Sequence, residues 1–402
     1  MELLNQIILD ETKRQNNGLE LIASENFTSA EVRRLCGSSP TNKYAEGFPG
    51  HRYYGGCENI DKIEQLAIDL ACQLFGAQFA NVQPHCGSAA NMIAYAALLN
   101  LGDTILSLGL DEGGHLTHGS SVSFSGKQYH FVHYHLGADG RIDYEGMAKM
   151  AAETKPRLIL AGFSSYPYEI DFKHISEIAK ANGAYFMVDM AHIAGLIATG
   201  YHPSPIPYAD VVTSTTHKTL RGPRGGIILT NSPELAKKIN SACFPGIQGG
   251  PLENIIAAKV QCFYEALQPS FKQYIKAVVA NTKACADEFA KLGCAVSGTD
   301  THLFMVNTKK SFGMTGVDAQ HKVEEIGITF NKNMVPGDTE KPSVTSGVRI
   351  GMAATTTRGL TEAQARETAW IIYDYLGNHV SREVASARVQ KIVATLKDID
   401  KL

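Results

Sequence analysis

Seven short apolar runs between residues 79 and 229 constrain the fold of this chain more than any other feature. They are Phe79–Val82, Thr104–Leu108, Tyr129–Tyr134, Leu158–Phe163, Tyr185–Val188, Val211–Thr215 and Gly226–Leu229. Each has the length of a strand rather than of a helix. Helical spacing lies before and between them: Ile63, Leu66, Ala67, Leu70 and Leu74 recur on one face and stop at Gly76, a second pattern covers Ala90–Leu99, and a third runs Ile175–Ala181 and ends at Gly183. Strands separated by helices predict an α/β domain whose mostly parallel sheet is flanked by helices on both faces, with ligand chemistry at the carboxyl ends of the strands.

Past a long helical stretch that includes Tyr274–Leu292 the pattern shortens to strands at Ala295–Val296, Leu303–Val306, Ile328–Phe330 and Val348–Ile350. This predicts a smaller C-terminal α+β domain. The expected organisation is an N-terminal arm and interface segment over 1–58, a large domain over 59–269 and a small domain over 270–402. No repeat of fixed period and no low-complexity segment interrupts it.

Charge narrows the function class. The 402 residues carry a formal net charge of -3, so no global positive field draws the protein to nucleic acid or to an anionic membrane. The apolar runs fall short of the roughly 20 residues that a spanning helix needs. Eight scattered cysteines form no CxxC pair, and Met1 leads into a polar, acidic stretch rather than a secretory leader. A cytoplasmic enzyme acting on small molecules is the expectation.

Four segments carry candidate chemistry. In THKTLRGPRGG, residues 216–226, a β-branched run delivers His217 and Lys218 into a Gly- and Pro-rich turn, with Arg221 and Arg224 nearby. A lysine desolvated beside other cations has a lowered pKa and can attack an aldehyde; a lone surface lysine would be solvated and inert. In VDMAH, residues 188–192, Asp189 ends an apolar strand with His192 three positions on. A buried carboxylate there needs a cationic partner; a protonated pyridine nitrogen would serve, as would an arginine. In HCGSAAN, residues 85–91, Gly87 and Ser88 lie between strand and helix, a place that suits phosphate or a simple cap. His115, flanked by glycines, could stack on a flat cofactor. His118, His130, His133 and His135 follow and invite a metal reading, yet the pair at 115 and 118 lacks a recognised ligand spacing, so no metal is expected.

Together these residues resemble the serine hydroxymethyltransferase family of pyridoxal-phosphate enzymes, over essentially the whole chain. The further motifs are LIASEN at 21–26, NKYAEGFPGHRYYGGCE at 42–58, GGHLTHG at 113–119, VDMAHIAGL at 188–196, FPGIQGGP at 244–251 and TSGVRIG at 345–351. The resemblance implies fold type I of such enzymes, with a seven-stranded mostly parallel sheet, and pyridoxal 5'-phosphate as cofactor. It implies serine, glycine and folate as substrates, with tetrahydrofolate accepting the one-carbon unit, and a homodimer or tetramer.

Its residue roles are likewise implied. Lys218 attaches the cofactor, Asp189 pairs with the ring nitrogen and His115 stacks over the ring. Thr215, His192 and Ser164 are neighbours of the cofactor, while Gly87, Ser88 and His217 hold its phosphate. Tyr44 and the Gly249–Gly250 turn reach that phosphate from a second subunit. Arg349 clamps the substrate carboxylate, with Ser24 and Tyr53 also at the substrate, and Glu46 and Tyr54 handle protons. Leu110, Gly114, Leu116 and Asn333 line the folate site. Two departures from the family pattern are Cys86, where serine is common, and Met352-Ala353-Ala354, where Thr-Pro-Ala is frequent. The second leaves open activity on α-methylserine. A threonine aldolase on the same scaffold is the nearest rival, and the 44–58 and 113–119 segments argue against it. A silent RNA-binding scaffold is disfavoured by the charge and the intact Lys218, Asp189, His115 and Arg349, and a dinucleotide dehydrogenase by the missing GxGxxG.

Overall fold

The computed structural model describes all 402 residues, in two compact units. The larger comprises Glu31–Ser164 and Glu169–Lys272; the smaller joins Met1–Ala30, Ser165–Tyr168 and Gln273–Leu402. The expected arm over 1–58 therefore divides between the units at residue 30, and the division at 272/273 falls within the helix Pro269–Lys291.

All seven apolar runs form strands of one sheet in the larger unit: β1 (Phe79–Asn81), β2 (Thr104–Leu108), β3 (His130–Tyr134), β4 (Leu158–Ala161), β5 (Tyr185–Asp189), β6 (Val211–Thr215) and β7 (Gly226–Thr230). Their order is β1-β7-β6-β5-β4-β2-β3. Strands β2 to β6 pair in parallel, whereas β7 runs antiparallel to both β6 and β1. The reversal follows from the connection: residues 216–225 form a turn instead of a helix, which returns the chain beside β6. The core on one face joins Ile93, Ala94, Tyr95 and Leu98 of the helix Gly87–Leu98 to Ile105, Leu158, Leu160, Met187, Val211 and Ile228.

Local signals fixed several boundaries. The helix Glu58–Phe75 stops at Gly76, which takes the left-handed conformation at φ 70°. β4 ends before the expected Phe163, because Gly162 has φ 96° and a Cβ there would lie 1.8 Å from the Asp189 carbonyl oxygen. Only glycine lets these two strand ends approach so closely.

In the smaller unit an antiparallel sheet has the order Leu303–Val306, Gly347–Gly351, Asn331–Asn333. Leu19–Glu20 pairs in parallel with Ile328–Thr329. The core includes Phe289, Phe304, Phe330, Val348, Ile350 and Ile371. Two expectations need correction. Ala295–Val296 contributes a single bridge, from Val296 to Val306, instead of a strand. Asn331–Asn333 forms a strand that its polar sequence concealed, since pairing with Gly347–Arg349 supplies what apolar burial does not. No helix is long and apolar enough to cross a membrane.

Candidate active site

Asp189 is the last residue of β5, with its side chain only 11% exposed. Its Oδ2 accepts a hydrogen bond from Asn91 Nδ2 at 2.8 Å and faces His118 Nε2 at 3.3 Å, while Oδ1 accepts the Ala191 N–H at 3.1 Å. The His115 N–H donates to His118 Nδ1 at 3.3 Å, so that nitrogen is the acceptor and Nε2 is the donor aimed at Asp189. Burial opposes ionisation of Asp189; the hydrogen bond from His118, helped by the charge of Lys218, prevails and holds the carboxyl below the usual range. Lys218 lies in the turn that follows β6, the strand paired with β5 at Asp189 and Thr213.

Asn91 is fixed in turn. Its Oδ1 accepts from Thr213 Oγ1 at 2.6 Å, and its Nδ2 also donates to Thr117 Oγ1 at 2.9 Å. Thr117 contacts His115 Nδ1 through both its hydroxyl, at 2.8 Å, and its N–H, at 3.2 Å. His115 Nδ1 is therefore an acceptor, and its Nε2 carries the proton. Ligand atoms of His115, His118 and Asp189 lie within 4.8 Å of one another, as in a metal site. Binding a cation through His118 Nε2 would require a proton on Nδ1, where the His115 N–H already points, so the arrangement favours a hydrogen-bonded carboxylate.

At the end of β6 the turn over 216–225 is closed by its own backbone: the Thr216 N–H donates to Gly225 at 3.1 Å and the Gly222 N–H to Thr216 at 2.7 Å. Arg221 adopts a left-handed φ of 60° and lies over the Phe271 ring, 5.4 Å from its centre. Lys218 is buried, as are Thr215 and His192. Burial, then the charges of Arg224 and Lys218, lower His217 to about 3, which keeps its imidazole neutral. Two buried polar atoms here have no hydrogen-bond partner within the chain, Thr215 Oγ1 and His217 Nδ1. Next to them the helix Gly87–Leu98 begins, and a Cβ at Gly87 would come within 2.6 Å of Thr215 Cγ2. Cys86 is its N-cap, its sulfur accepting the Ala89 N–H at 3.4 Å.

The remaining expected residues of this unit form two further groups. Tyr44, Glu46, Tyr53 and Tyr54 lie on and beside a hairpin, Gly47–Phe48 with His51–Arg52. Tyr44 and Tyr54 meet edge to face at 5.4 Å, and Tyr53 meets Phe244 likewise at 5.4 Å. A Cβ at Gly250 would come within 3.2 Å of the Tyr44 ring, and one at Gly249 within 3.3 Å of Glu46 Oε1. Near the other group, Leu110 opens a turn of Leu110–Glu112 and is exposed, as is Leu116. A Cβ at Gly114 would strike the Leu108 carbonyl oxygen at 2.3 Å, and the Ser164 N–H donates to Gly113 at 2.8 Å.

In the smaller unit Arg349 is buried on the strand Gly347–Gly351, its Nε 3.2 Å from Asn331 Oδ1, and burial lowers it to about 10. The segment that leads to Ser24 runs alongside, because the Gly351 N–H donates to Leu21 at 2.8 Å. Asn333 pairs with Gly347 and donates from Nδ2 to the Met334 carbonyl at 2.7 Å.

A sequence model of serine hydroxymethyltransferases matches residues 2–372. A serine hydroxymethyltransferase of Lactobacillus gasseri is 57% identical over 393 residues, covering 96% of this chain and 95% of that protein. Serine hydroxymethyltransferase 1 of Pseudomonas aeruginosa is 56% identical over 390 residues, with 96% and 93% covered, and a serine hydroxymethyltransferase of a Psychrobacter species is 53% identical over 399 residues, with 98% and 95% covered.

The chain belongs to the serine hydroxymethyltransferase family. As a serine hydroxymethyltransferase it is a pyridoxal-phosphate-dependent enzyme of fold type I with tetrahydrofolate as co-substrate. The residues present fit that cofactor. Asp189 is held as an ionised carboxylate, which a protonated ring nitrogen would complement, and the Thr215 and His217 atoms without partners could meet the cofactor's polar groups. The helix opening at Gly87 can receive its phosphate. Sequence reasoning missed Asn91, Thr117 and the role of His118, although all three lie in motifs it singled out. Their signal was absent because the contacts join residues up to 122 positions apart. It also passed over Arg52, which anchors the hairpin by donating to the Ala45 and Gly47 carbonyls at 2.8 and 3.0 Å and to Asp61 and Glu64 at 2.8 and 2.6 Å. The loss of proline at Ala353 is mild: that residue is the first of a buried helix, Ala353–Thr357, a position where proline is one option among several.

Proposed function

We propose that Lys218 is the amine that attaches pyridoxal phosphate, with Asp189 at the ring nitrogen, His115 over the ring, and Gly87, Ser88 and His217 around the phosphate. The observation that carries this is the triply hydrogen-bonded Asp189 at the end of β5, with the buried Lys218 and the unpartnered Thr215 and His217 atoms at the end of the adjacent β6. When bound, the cofactor withdraws electrons from the substrate α-carbon and lets its bond to the hydroxymethyl group break. The chain does the rest. His118 and Asn91 hold the Asp189 carboxylate charged and oriented, and Thr117 fixes the His115 ring. Thr215, His192 and Ser164 border the cofactor.

Arg349 binds the serine carboxylate, with Ser24 and Tyr53 beside the substrate, and its always-charged guanidinium suits a bidentate pair. Glu46 exchanges a proton with the departing hydroxyl, assisted by Tyr54. Leu110, Gly114, Leu116 and Asn333 line the folate site. Tyr44, Gly249 and Gly250 pack together within one chain, which supports their acting as a single group in a neighbour's site and hence a homodimer, or a tetramer built from it. A cytoplasmic location accords with the eight free thiols.

The test is methylenetetrahydrofolate formation from serine and tetrahydrofolate. Wild type should turn over, and Arg349→Ala should raise the KM for serine at least about tenfold, as for one lost charge-assisted pair, while leaving the cofactor spectrum unchanged. Equal loss of serine and cofactor binding would reassign Arg349.

A further inference from the structure

Lys259 lies on the helix Glu253–Ala266 and is 1% exposed. Its ammonium donates to three main-chain carbonyls: Val82 at 2.6 Å, Pro84 at 3.1 Å and Gly226 at 2.8 Å. Those are all the donors an ammonium has. The acceptors are not scattered. Val82 and Pro84 belong to the connector that leaves β1 and enters the helix Gly87–Leu98, and Gly226 opens β7 and returns its N–H to the Pro84 carbonyl at 2.9 Å. Gln248 holds the same connector, donating from Nε2 to the Gln83 carbonyl at 3.0 Å and accepting the His85 N–H on Oε1 at 3.1 Å. The backbone is thus tied at 82, 83, 84 and 85, immediately before the turn that exposes the first N–H groups of the helix.

The site is shaped for the lysine. A Cβ at Gly225 would come within 2.5 Å of Lys259 Cε. Burial disfavours the charged ammonium and lowers Lys259 to about 7, opposed by Cys243, Glu64, Cys262 and Glu253; its charge also reaches His85, which it helps to keep neutral. A cation so costly to bury for a purely apolar role stands behind an anion-binding helix start.

We infer that Lys259 is a positioning residue for the cofactor phosphate, fixing the 82–86 connector and with it the direction of the Gly87 and Ser88 N–H groups. It acts without touching the phosphate. The inference rests on Gly87 and Ser88 forming the cradle.

The experiment titrates cofactor-stripped protein with pyridoxal phosphate and, separately, with pyridoxal, which lacks the phosphate. Lys259→Met should weaken pyridoxal phosphate about tenfold or more, the scale of a lost charged hydrogen bond, and pyridoxal by less than about twofold. Gly225→Ala keeps the lysine but displaces it, and should show a smaller loss with the same selectivity, which covers the case in which Lys259→Met does not fold. Equal losses for both ligands, or no loss in either variant, would overturn the inference. Ser88→Pro, which removes that N–H within the first helical turn where proline is tolerated, separates the two layers. If it weakens pyridoxal phosphate selectively and the two positioning variants do not, the cradle stands and the role of Lys259 falls; if it has no selective effect, the cradle itself is wrong.

Discussion

The residues around Asp189 and those around Tyr44 are held in opposite ways. Asp189, Asn91, His118 and Thr117 form a closed network in which one chain supplies every partner. Tyr44, Tyr53 and Tyr54 are 57%, 75% and 49% exposed on a single copy, and the backbone of their hairpin, more than their rings, is what Arg52 fixes. The contrast teaches that one group is preorganised by the fold and the other is presented outward on a rigid base, which under the proposed function divides the chemistry between them. Large exposed aromatics on an anchored hairpin are what an interface covers.

The largest expected effect lies in the first group. Lys218→Ala should lower turnover by about a thousandfold or more, as for loss of a covalent catalyst, and borohydride should no longer fix the cofactor to the protein. Retained labelling would place the attachment elsewhere. Asp189→Asn keeps the shape and removes the charge, and should cost about a hundredfold or more, with an altered cofactor absorption band; an unchanged rate would mean that the network serves stability alone.

Mixing sharpens the comparison itself. Lys218→Ala and Glu46→Gln subunits, each nearly inactive alone, should recover about a quarter of wild-type activity after random exchange, because half of the dimers are mixed and each of these has one intact site. No recovery would show that both groups serve their own chain. The smallest effect concerns pH. His217 charges near 6.5 in the unfolded chain and near 3 in the fold, so the unfolded state binds more protons in that window and stability falls on acidification by up to about 1.4 kcal/mol per pH unit. His217→Gln should therefore flatten the melting temperature of cofactor-free protein between pH 6 and 4, and an unchanged slope would contradict the burial of that ring.

Much of this was legible in the sequence, for specific reasons. The seven runs became the seven strands because burial on both faces of a sheet leaves continuous apolar segments, and Gly76 ended its helix because it tolerates a left-handed turn. Asn331–Asn333 escaped notice because an edge strand can be held by backbone pairing alone. Lys259 escaped because a lysine in a helix reads as solvated until three carbonyls are found around it.

The sequence by itself determined the family, the sheet and the residue types that a pyridoxal-phosphate enzyme requires, since those depend on local periodicity and on motifs. Only the tertiary structure decided which nitrogen of His115 and of His118 carries the proton, that Asn91 and Thr117 orient them, and that Tyr44 rests on Gly250. Each of those follows from distances of a few ångströms between segments far apart in the chain, and pattern along the chain carries no information about such distances.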